Sequence, residues 1–213
     1  MLRFTLCCAA ALCGMLSLSA VRAEDNAGFT PLFNGKDLTG WHGDAKLWSV
    51  QDGEIVGVTD GKIPDNQFLV SDKEYSNFVL KVKFKLHDHK GNSGIQYRSE
   101  ELKDKPFVVK GNQADIADNQ FMGILYGEKS RGMIKTVSDE IKPELDKAVK
   151  KNDWNEYVIT ADGAHLVQQI NGVTTVDIQD KDGPTNGIIA LQLHAGHNMK
   201  ISFKEIMLKP LGK

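Results

Sequence analysis

Residues 77–87, NFVLKVKFKLH, alternate Phe78, Leu80, Val82, Phe84 and Leu86 with Val79, Lys81, Lys83 and Lys85. Successive side chains of an extended chain point to opposite faces. This period of two therefore predicts a half-buried strand, apolar inside and mostly cationic outside. Shorter stretches repeat the pattern. LWSVQDGEIVGV (47–58) predicts two strands folded about Asp52-Gly53, a pair that tolerates the positive φ of a tight hairpin turn. WNEYVITADGAHLVQQINGVTTVDIQD (154–180) predicts three strands turning at Asp162-Gly163 and Asn171-Gly172, and GIIALQLHAG and MKISFKEIMLKP predict two more. Only SDEIKPELDKAVKKND (138–153) has helical character. Pro143 limits it to a short surface turn or one broken helix, because proline has no amide proton to donate and clashes with the preceding turn.

Many antiparallel strands at roughly 8–12-residue spacing, with no alternation of strand and long helix, predict an all-β fold. The expected form is a two-sheet antiparallel β-sandwich with one short helical excursion. Residues 28–210 contain no internal repeat, low-complexity tract or linker, and read as a single domain.

The first 23 residues stand apart. Arg3, the apolar run FTLCCAAALCGMLSLSA and the small residues Val21 and Ala23 have the layout of a secretory signal peptide, which leaves 24–27 as a flexible lead-in. The expected location is the periplasm or the exterior, without membrane attachment once the leader is removed. All three cysteines, Cys7, Cys8 and Cys13, fall inside the leader, so the exported chain depends on packing rather than disulfides. Losing Arg3 and Arg22 leaves 24 basic against 28 acidic side chains, a balance of −4. The lysines are scattered and no basic patch is interleaved with aromatics, so nucleic acid is not an expected partner.

Several chemistries lack their signatures. There is no GxGxxG, P-loop, HExxH, GxSxG or cysteine metal set. What remains is polar side chains at alternating positions of apolar strands. Gln96 and Arg98 oppose Ile95 and Tyr97, Gln113 and Asp115 oppose Ala114 and Ile116, and Gln192 and His194 oppose Leu191 and Leu193. If these strands are neighbours, Arg98, Asp115 and His194 converge with the three glutamines beside them. An outer sheet face is ordinarily polar because it meets water. Solvated faces are usually Lys, Glu and Thr, however, whereas Gln, Arg, Asp and His among small residues suit a recognition surface with fixed hydrogen-bond partners.

Other residues are weaker candidates. Tyr126 and Arg131, in LYGEKSRGM, are candidate substrate contacts, while Glu128, Lys129 and Arg131 could equally rim a pocket or decorate a turn. His197 lies three residues after His194 in a glycine-containing loop and could join the site. His87-Asp88-His89 reads as a solvated turn rather than a metal site. Trp41, Trp48 and Trp154 read as core or sheet-edge packing.

In order along the chain, FTPLFNGKDLTGW, LWSVQDGEIVG, FLVSDKEYSNFVLKVKFKL, GNSGIQYRS, GNQADIADNQFMGILYGEKSRGM, WNEYVITADGAHLVQQING and GIIALQLHAGHNMKISFKEIMLKPL resemble the 3-keto-disaccharide hydrolase family. The resemblance covers nearly all of the exported chain. It implies a concanavalin A-like lectin/glucanase jelly roll, with ligand on the concave face of curved sheets. It also implies cleavage of glycosides whose glucose ring has been oxidised to a 3-ketone. Such a ketone acidifies the C2 proton, so removing that proton, expelling the C1 aglycone and adding water give net hydrolysis.

On this reading Asp115 or His194 is the base, Arg98 holds the developing oxyanion, and Gln96, Gln113 and Gln192 orient ring hydroxyls. No cofactor is established, although a divalent metal bridging Asp115 and His194 is compatible with these side chains. A sugar 3-dehydrogenase making the substrate is the logical upstream partner. The ExDxxE strand of similar-fold glucanases is missing. Its nearest echo, Glu144 and Asp146, ends in Val149 within the helical segment, which disfavours paired-carboxylate hydrolysis of unoxidised glycans. Where the family often has Gly-Tyr before Gln-Ala-Asp, this chain has Gly111-Asn112, a departure that bears on substrate choice. The alternative function is a non-catalytic carbohydrate-binding module of the same fold.

Overall fold

A computed structural model describes residues 27–212. The signal peptide read at 1–23, and all of the 24–27 lead-in except Ala27, lie outside the described residues. Two antiparallel sheets pack face to face. The first has the order β13 (Val173–Gln179), β12 (His165–Ile170), β11 (Asn155–Asp162), β6 (Phe78–Leu86), β15 (Asn198–Pro210), β4 (Glu54–Asp60) and β3 (Trp48–Gln51), with β1 (Thr30–Pro31) added to β15. The second has the order β10 (Gly132–Lys135), β9 (Leu125–Glu128), β8 (Val109–Ala117), β7 (Asn92–Glu101), β14 (Gly187–Leu193), β5 (Gln67–Tyr75) and β2 (Trp41–His42).

The alternation in β6 is realised residue by residue. Phe78, Leu80, Val82, Phe84 and Leu86 are buried, and the intervening positions are half-buried. Ile95, Tyr97, Ala114, Ile116, Leu191 and Leu193 meet them from the second sheet, so one apolar core lies between the layers. Each Val, Leu, Ile or Phe among them contributes about 1.5–3 kcal/mol by leaving water. Trp41 and Trp48 belong to this core, while Trp154 sits on the outer face of the first sheet with the Lys85 and Lys204 ammonium groups 5.0 and 3.9 Å from its ring centroid.

The hairpin between β3 and β4 turns at Asp52 and Gly53, with φ of 51° and 78°, as its sequence predicts. The β12–β13 hairpin does the same at Asn171 and Gly172. Between β11 and β12 the turn falls one residue later than expected. Asp162 still pairs with His165, leaving Gly163 and Ala164 as the loop. Pro143 does not break a helix. It lies in the first turn of α1 (Lys142–Ala148), where the missing amide proton has no intrahelical partner to lose. Among the described residues no helix is long and apolar enough to cross a membrane.

The outer face of the second sheet departs from the usual solvated pattern. Gln96, Gln113 and Gln192 are 0%, 2% and 0% exposed, and Asp115 is 4% exposed. Four polar side chains with almost no access to water must satisfy one another.

Candidate active site

The three strands bearing the alternating polar residues are neighbours, with β7 between β8 and β14. Gln96 pairs in register with Gln113, and a directed chain of hydrogen bonds starts behind them. Ser99 Oγ donates to Gln96 Oε1 at 2.7 Å, and Gln96 Nε2 donates to Gln113 Oε1 at 2.7 Å. Gln113 Nε2 then donates to Asp115 Oδ1 at 2.7 Å and, at 3.3 Å, to Gln192 Oε1. Gln192 Nε2 continues to Glu128 Oε2 at 3.4 Å, and Asn66 Nδ2 donates to both oxygens of the same carboxyl. Asn66 Oδ1 accepts from the Ala195 amide at 2.9 Å, and the Ala195 carbonyl accepts from His194 Nδ1 at 2.6 Å. One network thus orients Asp115, Glu128 and His194 together.

All three groups line a cavity of about 270 Å³ with Asn66, Asn92, Gln113, Phe121, Ile124, Tyr126 and Met133. Burial pushes the Asp115 carboxyl up to about 8. The Gln113 amide opposes this rise and the Glu128 charge adds to it. Glu128 is also raised, again mainly by burial. Because a carbonyl oxygen only accepts, the neutral tautomer of His194 that fits this contact carries its hydrogen on Nδ1 and has its lone pair on Nε2. A buried carboxyl still protonated near neutrality and an imidazole nitrogen with a free lone pair therefore share one cavity. That is the minimum equipment for general acid–base catalysis.

Gln113, Asp115, His194 and Tyr126 line the cavity, whereas several other candidates do not. Arg98 is a correction. The pairing of β7 with β8 shifts register between Tyr97 and Glu100, and Arg98 has φ of 49°, a bulge that turns its side chain away. Its guanidinium donates instead to the carbonyls of Ser76, Gly163 and Pro184 and to Asn77 Oδ1. Arg98→Met is expected to cost about 2–3 kcal/mol by stranding these acceptors, while the rate per folded molecule is unchanged; urea denaturation and an activity assay separate the two effects.

Arg131 is a second correction. It pairs with Asp180 at 2.7 Å and donates to Asn112, facing a different depression of about 490 Å³ that Arg98 also lines. Lys110 in that depression is likewise paired, with Glu100. Gln96 and Gln192 do not line the cavity and cannot orient ring hydroxyls directly; they hold Gln113 and Glu128. His197 stays outside the lining, with its ring edge-on to His194 at 5.0 Å.

Asn66 and Asn92 are lining residues that the sequence pattern did not assign to the site, and Glu128, which it left between rimming a pocket and decorating a turn, lines the cavity as well. Asn92 Oδ1 is buried without a hydrogen-bond partner among the described residues, so it can accept a hydroxyl from a ligand. For Glu128 the available signal was its spacing of two from Tyr126 on β9, which puts both on one face. Among the described residues no three His, Cys, Asp or Glu side chains form a set ready to hold a metal. The donor set around Asp115 and His194 falls short of such a centre. The 87–89 segment is a 3-10 turn, with His87 Nε2 3.0 Å from Ser202 Oγ.

A family profile described as "3-keto-alpha-glucoside-1,2-lyase-like domain" matches residues 28–209. The chain is 26% identical over 151 residues to a 3-keto-disaccharide hydrolase of Bacteroides thetaiotaomicron, across 62% of this chain and 52% of that protein. It therefore spans about half the length of that relative. In backbone it is similar to a presumed glycosyl hydrolase of Parabacteroides distasonis, with a TM-score of 0.64 and 25% identity over 89% of this chain and 96% of the other. It also shares its fold with carbohydrate-binding module CBM66 of Bacillus subtilis, with a TM-score of 0.62 and 14% identity over 80% and 95% of the two chains.

Proposed function

The chain belongs to the 3-keto-alpha-glucoside-1,2-lyase-like domain family, and from that premise we propose that it cleaves glycosides whose glucose ring carries a ketone at C3. The observation that carries this reading is the placement of Asp115. It is buried, held by Gln113, and raised to about 8 in the cavity that also presents His194.

In the reaction, His194 Nε2 removes the C2 proton, and the electron pair of the C–H bond delocalises onto the C3 oxygen as an enolate. The enolate collapses to a C1–C2 double bond as the C1–O bond breaks, and the aglycone oxygen leaves with its electron pair and takes the Asp115 proton. Asp115, now a carboxylate, deprotonates the water that adds at C1, while the proton on His194 returns to C2. The sum is hydrolysis by two proton shuttles, with no net oxidation. With Arg98 directed elsewhere, stabilisation of the enolate falls to neutral donors in the cavity, the Tyr126 hydroxyl and the Asn92 amide.

A carboxyl raised this far by burial in a cleft favours the enzyme over a binding module, because perturbed acids of this kind cluster where protons are transferred. The leader-like residues 1–23 favour action in the periplasm or outside the cell, downstream of an oxidoreductase that installs the ketone. The test is to incubate purified protein with 3-keto-trehalose and with unoxidised trehalose, with and without chelator, and follow glucose release. Release from the keto substrate alone is expected. Binding of the keto sugar without turnover would transfer the chain to the binding-module class.

A further inference from the structure

Resting on that catalytic reading, we propose that Phe121 and Met133 form an aglycone lip selective for flat aromatic groups, making 3-keto-glucosides of phenols better substrates than 3-keto-disaccharides. Three large hydrophobic side chains are exposed among the described residues: Val58 at 46%, Phe121 at 37% and Met133 at 45%. Val58 lies on β4 of the first sheet, and the other two line the one cavity that holds the acid–base groups. Isolated exposed hydrophobics are ordinary on any surface, but two at the mouth of one catalytic cavity are not scattered in that way.

The cavity's size limits what it encloses. At about 270 Å³ it lies just below the roughly 300–1,000 Å³ of pockets that enclose a whole drug-sized ligand. One sugar ring fills it, and the group attached at C1 must emerge past the exposed lining residues. The two ends of the ligand therefore meet different chemistry. Asn66, Asn92, Gln113, Asp115, Glu128 and His194 serve the enclosed ring, whereas the exposed edge offers an aromatic ring on the turn following β8 and a thioether on the edge strand β10.

A second sugar could lay an apolar C–H face on Phe121, but the hydroxyls around its rim would be desolvated against a lip that offers them only a weak sulfur acceptor. An aromatic aglycone has no such groups on its faces. It can stack on Phe121 and take the favourable sulfur–ring contact that methionine offers. The chemistry agrees. A phenol oxygen, ionising near 10, leaves with its electron pair more readily than a sugar alcohol and depends less on the Asp115 proton.

The test compares phenyl 3-keto-glucoside with 3-keto-trehalose on the wild type and on the Phe121→Ala/Met133→Ala double variant. Wild-type kcat/KM is expected to favour the phenyl substrate by about tenfold or more. In the double variant that preference is expected to fall by about tenfold through a rise in KM for the phenyl substrate, leaving in kcat only the advantage of the better leaving group, with Tm little changed. Equal turnover of both substrates, or a phenyl preference that the substitutions leave unchanged, overturns the lip and leaves the catalytic reading intact. If neither substrate turns over, the catalytic reading fails, and calorimetry with phenyl 3-keto-glucoside decides the lip separately. Binding weakened about tenfold in the double variant supports it, and no binding, or unchanged binding, rejects it.

Discussion

Asp115→Asn is expected to lower kcat on a 3-keto-glycoside by about 10²–10⁴-fold, the range over which a positioned acid or base contributes. The same substitution is expected to stabilise the protein. Its folded-state carboxyl titrates at about 8, against 3.8 for the free side chain. Between those values the unfolded chain is ionised while the folded protein keeps its proton, so the unfolded state binds fewer protons and stability falls as pH rises through the window. At about 1.4 kcal/mol per pH unit the cost reaches several kcal/mol by pH 8. Glu128, raised by the same burial, acts with the same sign.

An amide at 115 stays neutral in both states and escapes the penalty. The stability difference between Asp115→Asn and wild type is therefore expected to be small at pH 4 and to grow toward pH 8. Urea denaturation at the two pH values measures it. A variant that loses activity but gains no stability at high pH would show that Asp115 is ionised in the folded protein. The acid role assigned to it would then have to move to Glu128. Activity retained within a few-fold would remove Asp115 from the reaction altogether.

The parts of this molecule legible in its sequence are those governed by local rules. The alternation of 77–87 gave β6 and its buried face because side-chain direction in a strand depends only on position. Asp52-Gly53 and Asn171-Gly172 gave hairpins because positive φ is a property of the residues at the turn. Gln113, Asp115 and His194 were found by the same period-two logic. Arg98 was misplaced because a single bulge interrupts that period, and the bulge reflects the pairing of β7 with β8 rather than any local signal.

Asn66 immediately precedes β5 and Asn92 opens β7, and only the strand order of the second sheet brings them to one cavity. The burial of the glutamine face was equally out of reach. Alternation says that Gln96, Gln113 and Gln192 share a side, but not whether water reaches it. That difference separates a solvated face from a network, and it is what makes Asp115 an acid.

The Gln113 amide owes its position in part to a residue with no side chain. Gly94 lies opposite Asp115 in register, and a methyl group added there would meet Gln113 Cγ and Cδ at 2.6 Å and Nε2 at 2.9 Å. Gln113 cannot swing aside freely, because its amide is bonded to Gln96 on one side and to Asp115 and Gln192 on the other. Gly94→Ala is thus expected to break the Gln113–Asp115 hydrogen bond and lower kcat by about 10–100-fold, as for a buried hydrogen bond worth 1–3 kcal/mol, with a smaller change in KM. Since the Gln113 amide opposes the rise of the Asp115 carboxyl, the pH–rate limb belonging to Asp115 should move upward in the variant. The double variant Gly94→Ala/Gln113→Ala identifies the route. If Gly94 acts only by making room for Gln113, the pair loses no more activity than Gln113→Ala alone, because the added methyl then has nothing left to displace. Losses that simply add, with the pH–rate limb unmoved, would mean that Gly94 shapes the strand rather than the acid.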